Sequence, residues 1–292
     1  SMIAYYGIAD KDKGINPAFE KYVHEYVDIH DIEDKKENVV ILPEIAPNLM
    51  DGTKNIQKAV WWMSVDNFYN NSMAVQYYHA FGVWRTAGWF LKGNLFRTKK
   101  VDKKIVHLYQ SQYAHQFLVD NGIKAMHRLS DYINRDYMTA EDVEHADRED
   151  IVLYNPSKGF EFTKTLMECA PDINWTPICN MSNRELRELM KKSKLYVDFG
   201  NHPGKDRLPR ETAIMGCCII TGTDGAAGFY EDIPISDYYK FEARKDNIDN
   251  VIARVRECLS NYDVRINDFE KYRNVIRAEY ELFCEDTEAI FL

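Results

Sequence analysis

The chain has 292 residues, 45% hydrophobic and 28% charged, ordinary proportions for a globular protein with room for two α/β domains of usual size. Its net charge of −9 is uneven: residues 1–140 carry 17 basic and 16 acidic side chains, residues 141–292 carry 20 and 30. That split argues for two domains with different partners and against a simple polyanion binder. There is no apolar run of about 20 residues to span a bilayer, residues 1–6 (SMIAYY) lack signal-peptide features, and the six cysteines show no Cys-x-x-Cys spacing. The expectation is a cytoplasmic protein with reduced cysteines and no zinc site.

In chain order, Ile3–Ile8 reads as a strand and Asn16–Val27 as a helix opened by Pro17. Asn38–Glu44 (NVVILPE) and Lys58–Ser64 (KAVWWMS) read as buried strands, with Asp66 and Asn67 just past the second. Val75–Phe81 fits a helix. Trp84, Arg85, Trp89, Lys92 and Arg97, running on into Lys99–Lys104, form a basic and aromatic cluster. Three readings stay open for it: an interfacial membrane or acceptor patch, a groove where bases stack, or a partly buried helix and loop with snorkelling cations. Ile105–Gln110 is a strand, Gln112–Asp120 a helix stopped at Asn121-Gly122, and Lys124–Leu129 a strand. Asn134–Asp150 is acidic and aperiodic and reads as an interdomain linker, dividing the chain into domains 1–134 and 151–292 with a linker at 135–150.

A second α/β series follows. Ile151–Tyr154 is a strand, Asn155–Gly159 a turn, Phe160–Glu168 a helix and Trp175–Ile178 a strand. Ser182 with Glu185 forms a capping box for a helix over 183–192. The stretch 195–228 then gives strand, polar loop, helix and strand: Leu195–Phe199, the loop Gly200–Leu208, a helix with Pro209 in its first turn and Gly216 at its end, and Cys217–Thr221. A loop at the carboxyl end of a parallel strand, followed by a helix N-terminus, suits an anion. His202, Lys205, Arg207 and Arg210 supply cations for phosphate, and Glu211 can accept hydrogen bonds from hydroxyls. The same pattern also fits a solvated loop with Glu211 set against the helix dipole. Ile248–Ser260 and Asp268–Phe283 read as closing helices.

Three stretches make the chain resemble GT-B glycosyltransferases, in particular the large retaining family that uses nucleotide-diphosphate sugars. Residues 108–134 resemble the last strand–helix–strand of the first domain, with Ser111 and Ser130-Asp131-Tyr132 at its turns. Residues 152–168 resemble the first strand and helix of the donor domain, where Lys158-Gly159 matches the pair that brings a lysine to the diphosphate; Leu153 stands where the family has arginine, and Lys164 or Arg207 is a candidate replacement. In the third stretch Glu211 matches the glutamate on the donor ribose, while Pro203 stands where the family has its first glutamate. His202, Asp206 and Asp198 remain open as groups near the sugar.

The resemblance implies an α/β protein of two Rossmann-like domains, with its last helix returning to the first domain. It implies transfer of a sugar from a nucleotide-diphosphate sugar to a hydroxyl acceptor, for example a glycan or lipid-linked acceptor in cell-surface glycan biosynthesis, with possible peripheral contact at the inner face of the membrane. The donor site it implies comprises Lys158, Glu211, Arg210, Arg207, Lys205, His202, Ser157 and Asn155. No D-x-D motif sits in a metal-binding context, so no cofactor or metal is expected. If stereochemistry inverts, Asp66 is the candidate base, against its reading as a turn residue. Rival readings are a glycosyltransferase acting on modified DNA bases, disfavoured by the acidity, and a non-catalytic module of the same fold. A dehydrogenase is disfavoured because no G-x-G-x-x-G follows a strand.

Overall fold

The computed structural model describes residues 3–5, 22, 26–47, 49, 52–70, 82–84, 87–88, 101–140, 143 and 146–292. The chain divides into two compact units, residues 1–61 with 68–107 and residues 62–67 with 108–292. In the first unit, β1 (Ile3–Tyr5) pairs in parallel with β2 (Tyr26–Asp28), and β3 (Val39–Pro43) with β4 (Gln57–Trp62). Tyr26 and Val27 are therefore strand where the sequence suggested the end of a helix, and Tyr22 is an exposed turn residue; the other residues of that segment, and the helix expected over 75–81, lie outside the described residues. The β3 strand, expected to be buried throughout, buries Val40 and Leu42 and exposes Val39 and Ile41, the alternation of a strand covered on one face. The Asp34 carboxylate holds the start of β4 by accepting from the Lys54, Asn55 and Ile56 amides at 2.7–2.8 Å, and these bonds lower its pKa.

With β5 (Val106–Tyr109) and β6 (Met126–Arg128), β3 and β4 form a four-stranded sheet of order β3-β4-β5-β6. Helix α1 (Val65–Asn70) follows β4, and α2 (Gln112–Asp120) follows β5. Ser111 caps α2 by accepting from the Ala114 amide at 3.1 Å. The segment read as a linker contains a short helix, α3 (Arg135–Met138), with Tyr137 buried.

The second four-stranded sheet lies wholly in the second unit. Its strands are β7 (Glu149–Tyr154), β8 (Asn174–Pro177), β9 (Ser193–Asp198) and β10 (Cys218–Thr221), all parallel in the order β10-β9-β7-β8. Val152, Leu153, Leu195, Tyr196, Val197 and Cys218 to Ile220 are fully buried, as expected of a parallel sheet covered on both faces. Between the strands run α4 (Phe160–Cys169), α5 (Asn183–Lys192) and α6 (Arg207–Ile214). The capping box of α5 forms as read, with Ser182 and Glu185 bonded reciprocally. Helix α6 ends at Gly216, whose φ is +86°. The Gly216 amide reaches Ala213 O and the Cys217 amide Thr212 O, the Schellman arrangement.

The chain closes with α7 (Ile248–Ser260), α8 (Tyr262–Arg265) and α9 (Glu270–Phe291). Helix α9 returns to the segment after β6. Asp286 accepts from Arg128 Nε at 2.9 Å and from the Ser130 amide at 2.9 Å, and Tyr132 meets the rings of Tyr280 and Phe283 edge-on. The strand β7 lies between β8 and β9, and the connection out of β7 runs to β8 on one side while the connection out of β9 runs to β10 on the other. That reversal is a topological switch point, where open α/β sheets bind ligands beyond the strands' carboxyl ends.

At that end two loops are wedged together. Gly159 has φ +60°, and a Cβ there would lie 2.2 Å from Phe199 O. A Cβ at Gly222 would meet nothing closer than 3.6 Å. Gly159→Ala is expected to cost at least about 1–3 kcal/mol by urea denaturation, with Gly222→Ala close to wild type; equal effects would show that the wedge is dispensable.

Candidate functional site

Two turns leave the switch point side by side. After β7, Asn155 Oδ1 accepts the Ser157 amide at 3.0 Å, an Asx turn that delivers Lys158-Gly159 to the start of α4. That helix has Gly159 as its N-cap and no side-chain cap. After β9, the loop Phe199–Asp206 leads into α6, whose N-cap Asp206 also makes no side-chain cap bond. Both helices thus begin with backbone N–H groups that no cap side chain satisfies. The Lys158 ammonium bridges the two turns, 2.7 Å from Asp206 Oδ2. Its side chain is 36% exposed, the exposure expected of a cation able to change partners. Asn155 and Ser157 shape the turn; Ser157 is exposed and Asn155 half-buried.

Arg210 departs from the expected phosphate role. Its side chain is fully buried and every donor is engaged: Nη1 with Asp131 Oδ1 and Glu279 Oε2 (both 3.0 Å), Nη2 with Asp131 Oδ2 (2.7 Å) and Lys205 O (3.0 Å), and Nε with Asp206 O (3.2 Å). Burial alone would lower its pKa, but the Asp131 and Glu279 carboxylates reverse that and raise it. A guanidinium has five N–H donors, so Arg210 has none left for a diphosphate. Lys205 is likewise drawn inward, its ammonium 2.7 Å from Glu279 Oε1. Of the four loop cations, Arg207 is the exposed one, and among the described residues it makes no ion pair.

Glu211 is buried at 4% exposure, with Tyr137 beside it. Burial raises its pKa against the opposing pull of Arg207, Arg210 and the Tyr137 hydroxyl. For the same reason the Tyr137 phenol is pushed up to about 12, first by burial and then by the Glu211 charge. A ribose hydroxyl would therefore meet this carboxylate beside the Tyr137 ring. His202 is fully buried between Asp198 and Asp206.

Asp66 stands on the rim of the same loop, within the second unit. It accepts from Tyr113 Oη at 2.9 Å and from Asn201 Nδ2 at 2.6 Å, and the Val65 amide bonds Pro203 O at 2.8 Å. The chain approaches so closely that a Cβ on Gly204 would lie 1.8 Å from Met63 O. The structure thus joins Asp66 to the 199–206 loop, and its partners Asn201 and Tyr113 were not singled out in the sequence. Nor was Asp232, whose carboxylate accepts from the Gln112 and Tyr113 amides at the start of α2 (2.7 and 3.0 Å). These partners are 135, 47 and about 120 positions away in sequence, beyond any local pattern. Of the basic and aromatic cluster, Trp84 is 90% exposed; Arg85, Trp89, Lys92 and Arg97 lie outside the described residues.

This geometry has counterparts among solved structures. TarM aligns at a TM-score of 0.59 with 14% identity, covering 87% of this chain and 54% of that one. A TarM mutant from S. aureus in complex with Fondaparinux, alpha-GlcNAc-glycerol and UDP aligns at 0.61 with 13% identity, covering 89% and 56%. HepE from Anabaena in complex with UDP aligns at 0.56 with 9% identity, covering 87% and 78%. The chain has a GT-B glycosyltransferase-like fold. It spans just over half the length of the TarM chains. No family model and no curated protein matches the sequence. In this GT-B-like fold the Lys158-Gly159 turn and the 199–206 loop are the two connections that leave the switch point.

Removing Arg210 strands two carboxylates. Arg210→Met is expected to destabilise by about 3–5 kcal/mol in urea denaturation, whereas a marginal loss would mean the hub carries little. Glu211→Gln should act in the opposite sense at neutral pH. A raised folded-state pKa gives stability that is present below the ordinary carboxylate range and lost as pH rises through the folded value. The variant should therefore melt higher than wild type at pH 7–8, the gap closing at about pH 4; a gap independent of pH would exclude burial as the cause.

Proposed function

We propose that this chain is a glycosyltransferase that moves a sugar from a nucleotide-diphosphate sugar to a hydroxyl acceptor. One observation carries the reading: two uncapped helix N-termini, those of α4 and α6, open side by side at the switch point with Lys158 between them. Free N–H groups and the positive end of the helix dipole favour phosphate oxygens. As the glycosidic bond breaks, negative charge grows on the leaving diphosphate, and fixed donors already aimed at it lower the barrier without reorganising.

Lys158 is the cation assigned to that diphosphate, exchanging Asp206 for phosphate when the donor arrives, and exposed Arg207 is the second. Glu211, beside Tyr137, is assigned to the ribose. Arg210 is a positioning residue that holds the loop. Asp66 is the base if the acceptor attacks with inversion, oriented by Tyr113 and Asn201; with retention the departing phosphate takes the acceptor proton. A glycan or lipid-linked acceptor and a peripheral position at the inner membrane face belong to this reading. Among the described residues no helix is long and apolar enough to cross a membrane.

Thermal melting with UDP, GDP, CDP, dTDP and ADP in chelator tests the donor site. UDP comes first, since the TarM mutant and HepE structures hold it. At 100 times its dissociation constant the matching nucleotide adds about 2.7 kcal/mol, and Lys158→Ala is expected to abolish most of the shift while keeping the unliganded melting point. No shift with any of the five would discard the donor site and favour a non-catalytic module.

A further inference from the structure

The loop between β9 and α6 carries three groups at four-residue intervals, Asp198, His202 and Asp206. One ligand atom from each lies within 4.8 Å of the others. The Asp198 carboxylate is 2% exposed. It accepts from Tyr196 Oη at 2.6 Å and from the Gly200 amide at 2.9 Å, and among the described residues no lysine or arginine pairs with it. The His202 ring is fully buried. Its Nε2 faces Asp198 Oδ1 at 3.6 Å and its Nδ1 faces Asp206 Oδ2 at 3.3 Å, yet neither nitrogen makes a hydrogen bond.

Buried ring nitrogens without a bond are uncommon because each normally finds a partner. A buried carboxylate likewise calls for a compensating cation. Here both deficits point into one small space. We propose that Asp198, His202 and Asp206 hold a divalent first-row transition-metal ion of the Zn²⁺ type. One imidazole and two carboxylates are a ligand set such ions accept, and three protein ligands leave a coordination position open. The loop is anchored for the purpose: His202 O accepts the Ala226 amide at 2.8 Å. A D-x-D search passes over this set because its members are four residues apart.

The ion and Lys158 compete for Asp206, which the ammonium meets at 2.7 Å. Binding of the ion would neutralise Asp206 and release Lys158 toward the diphosphate. That consequence rests on the glycosyltransferase reading, whereas the ion site does not.

The test is Zn²⁺ binding to the full chain after chelator treatment, measured by competition with a chromophoric chelator. A Cys169→Ser, Cys179→Ser background removes the two exposed thiols that would otherwise capture the ion. One ion per chain is expected. His202→Gln and Asp206→Asn should each weaken binding at least about 100-fold, more than the loss of an outer-shell group, and Lys158→Ala should tighten it by removing the competitor. Circular dichroism checks folding, and the partly exposed Asp206 provides a variant with less risk to the core. Absence of binding, or affinity unchanged in both ligand variants, overturns the site. Nucleotide melting in chelator separates the readings: nucleotide binding without Zn²⁺ binding removes the ion site alone, and Zn²⁺ binding without nucleotide binding supports the ion site while removing the donor reading.

Discussion

The Arg210 guanidinium is the constraint on which the second unit depends. It binds Asp131 after β6, Glu279 in the last helix, and the carbonyls of Lys205 and Asp206 in the loop after β9. Segments 79 and 69 positions from Arg210 are thereby fixed to one point. The Asp131 pair is bidentate, matching the planar fork of arginine, which a lysine could not reproduce. Burying an ion pair contributes little net stability relative to an apolar core, but once buried it tolerates no missing partner. Its value here is geometric, because it sets the shape of the loop that enters α6.

That loop is held from three sides. The Lys158-Gly159 turn presses against Phe199 and Gly200 with no space for a Cβ on either glycine. Residues 63–66 press against Pro203 and Gly204. Ala226 and Gly225 bind His202 from the β10 side. A loop so constrained can keep helix ends, carboxylates and a buried imidazole at fixed distances, which is the preorganisation a charged ligand site needs. The cations divide accordingly. Arg210 and Lys205 face inward and hold the scaffold, while Lys158 and Arg207 remain accessible.

Local signals in the chain were reliable where the cause is local. The α2 span, the Ser182 and Glu185 capping box, the left-handed Gly216 and the short apolar strands of the second sheet all follow from rules acting within a few residues. Where the outcome depends on remote partners, the sequence misled or was silent. Tyr26 and Val27 join a parallel strand in place of a helix. The polar segment 134–150 contains a helix that buries Tyr137 against Glu211. Arg210 has the composition of a phosphate ligand and the environment of a structural pin.

The sequence by itself determined the α/β alternation, the placement of a polar loop and a helix start after the β9 strand, and the set of cations and carboxylates available there. Periodicity and capping chemistry are properties of neighbouring residues, so they can be read along the chain. The tertiary structure alone decided which of those groups stay accessible. It turned Arg210 and Lys205 inward, joined Asp66 to Asn201 and Tyr113, and enclosed His202 between two carboxylates. Burial and pairing depend on segments tens of residues apart meeting in space, and no local pattern encodes that meeting.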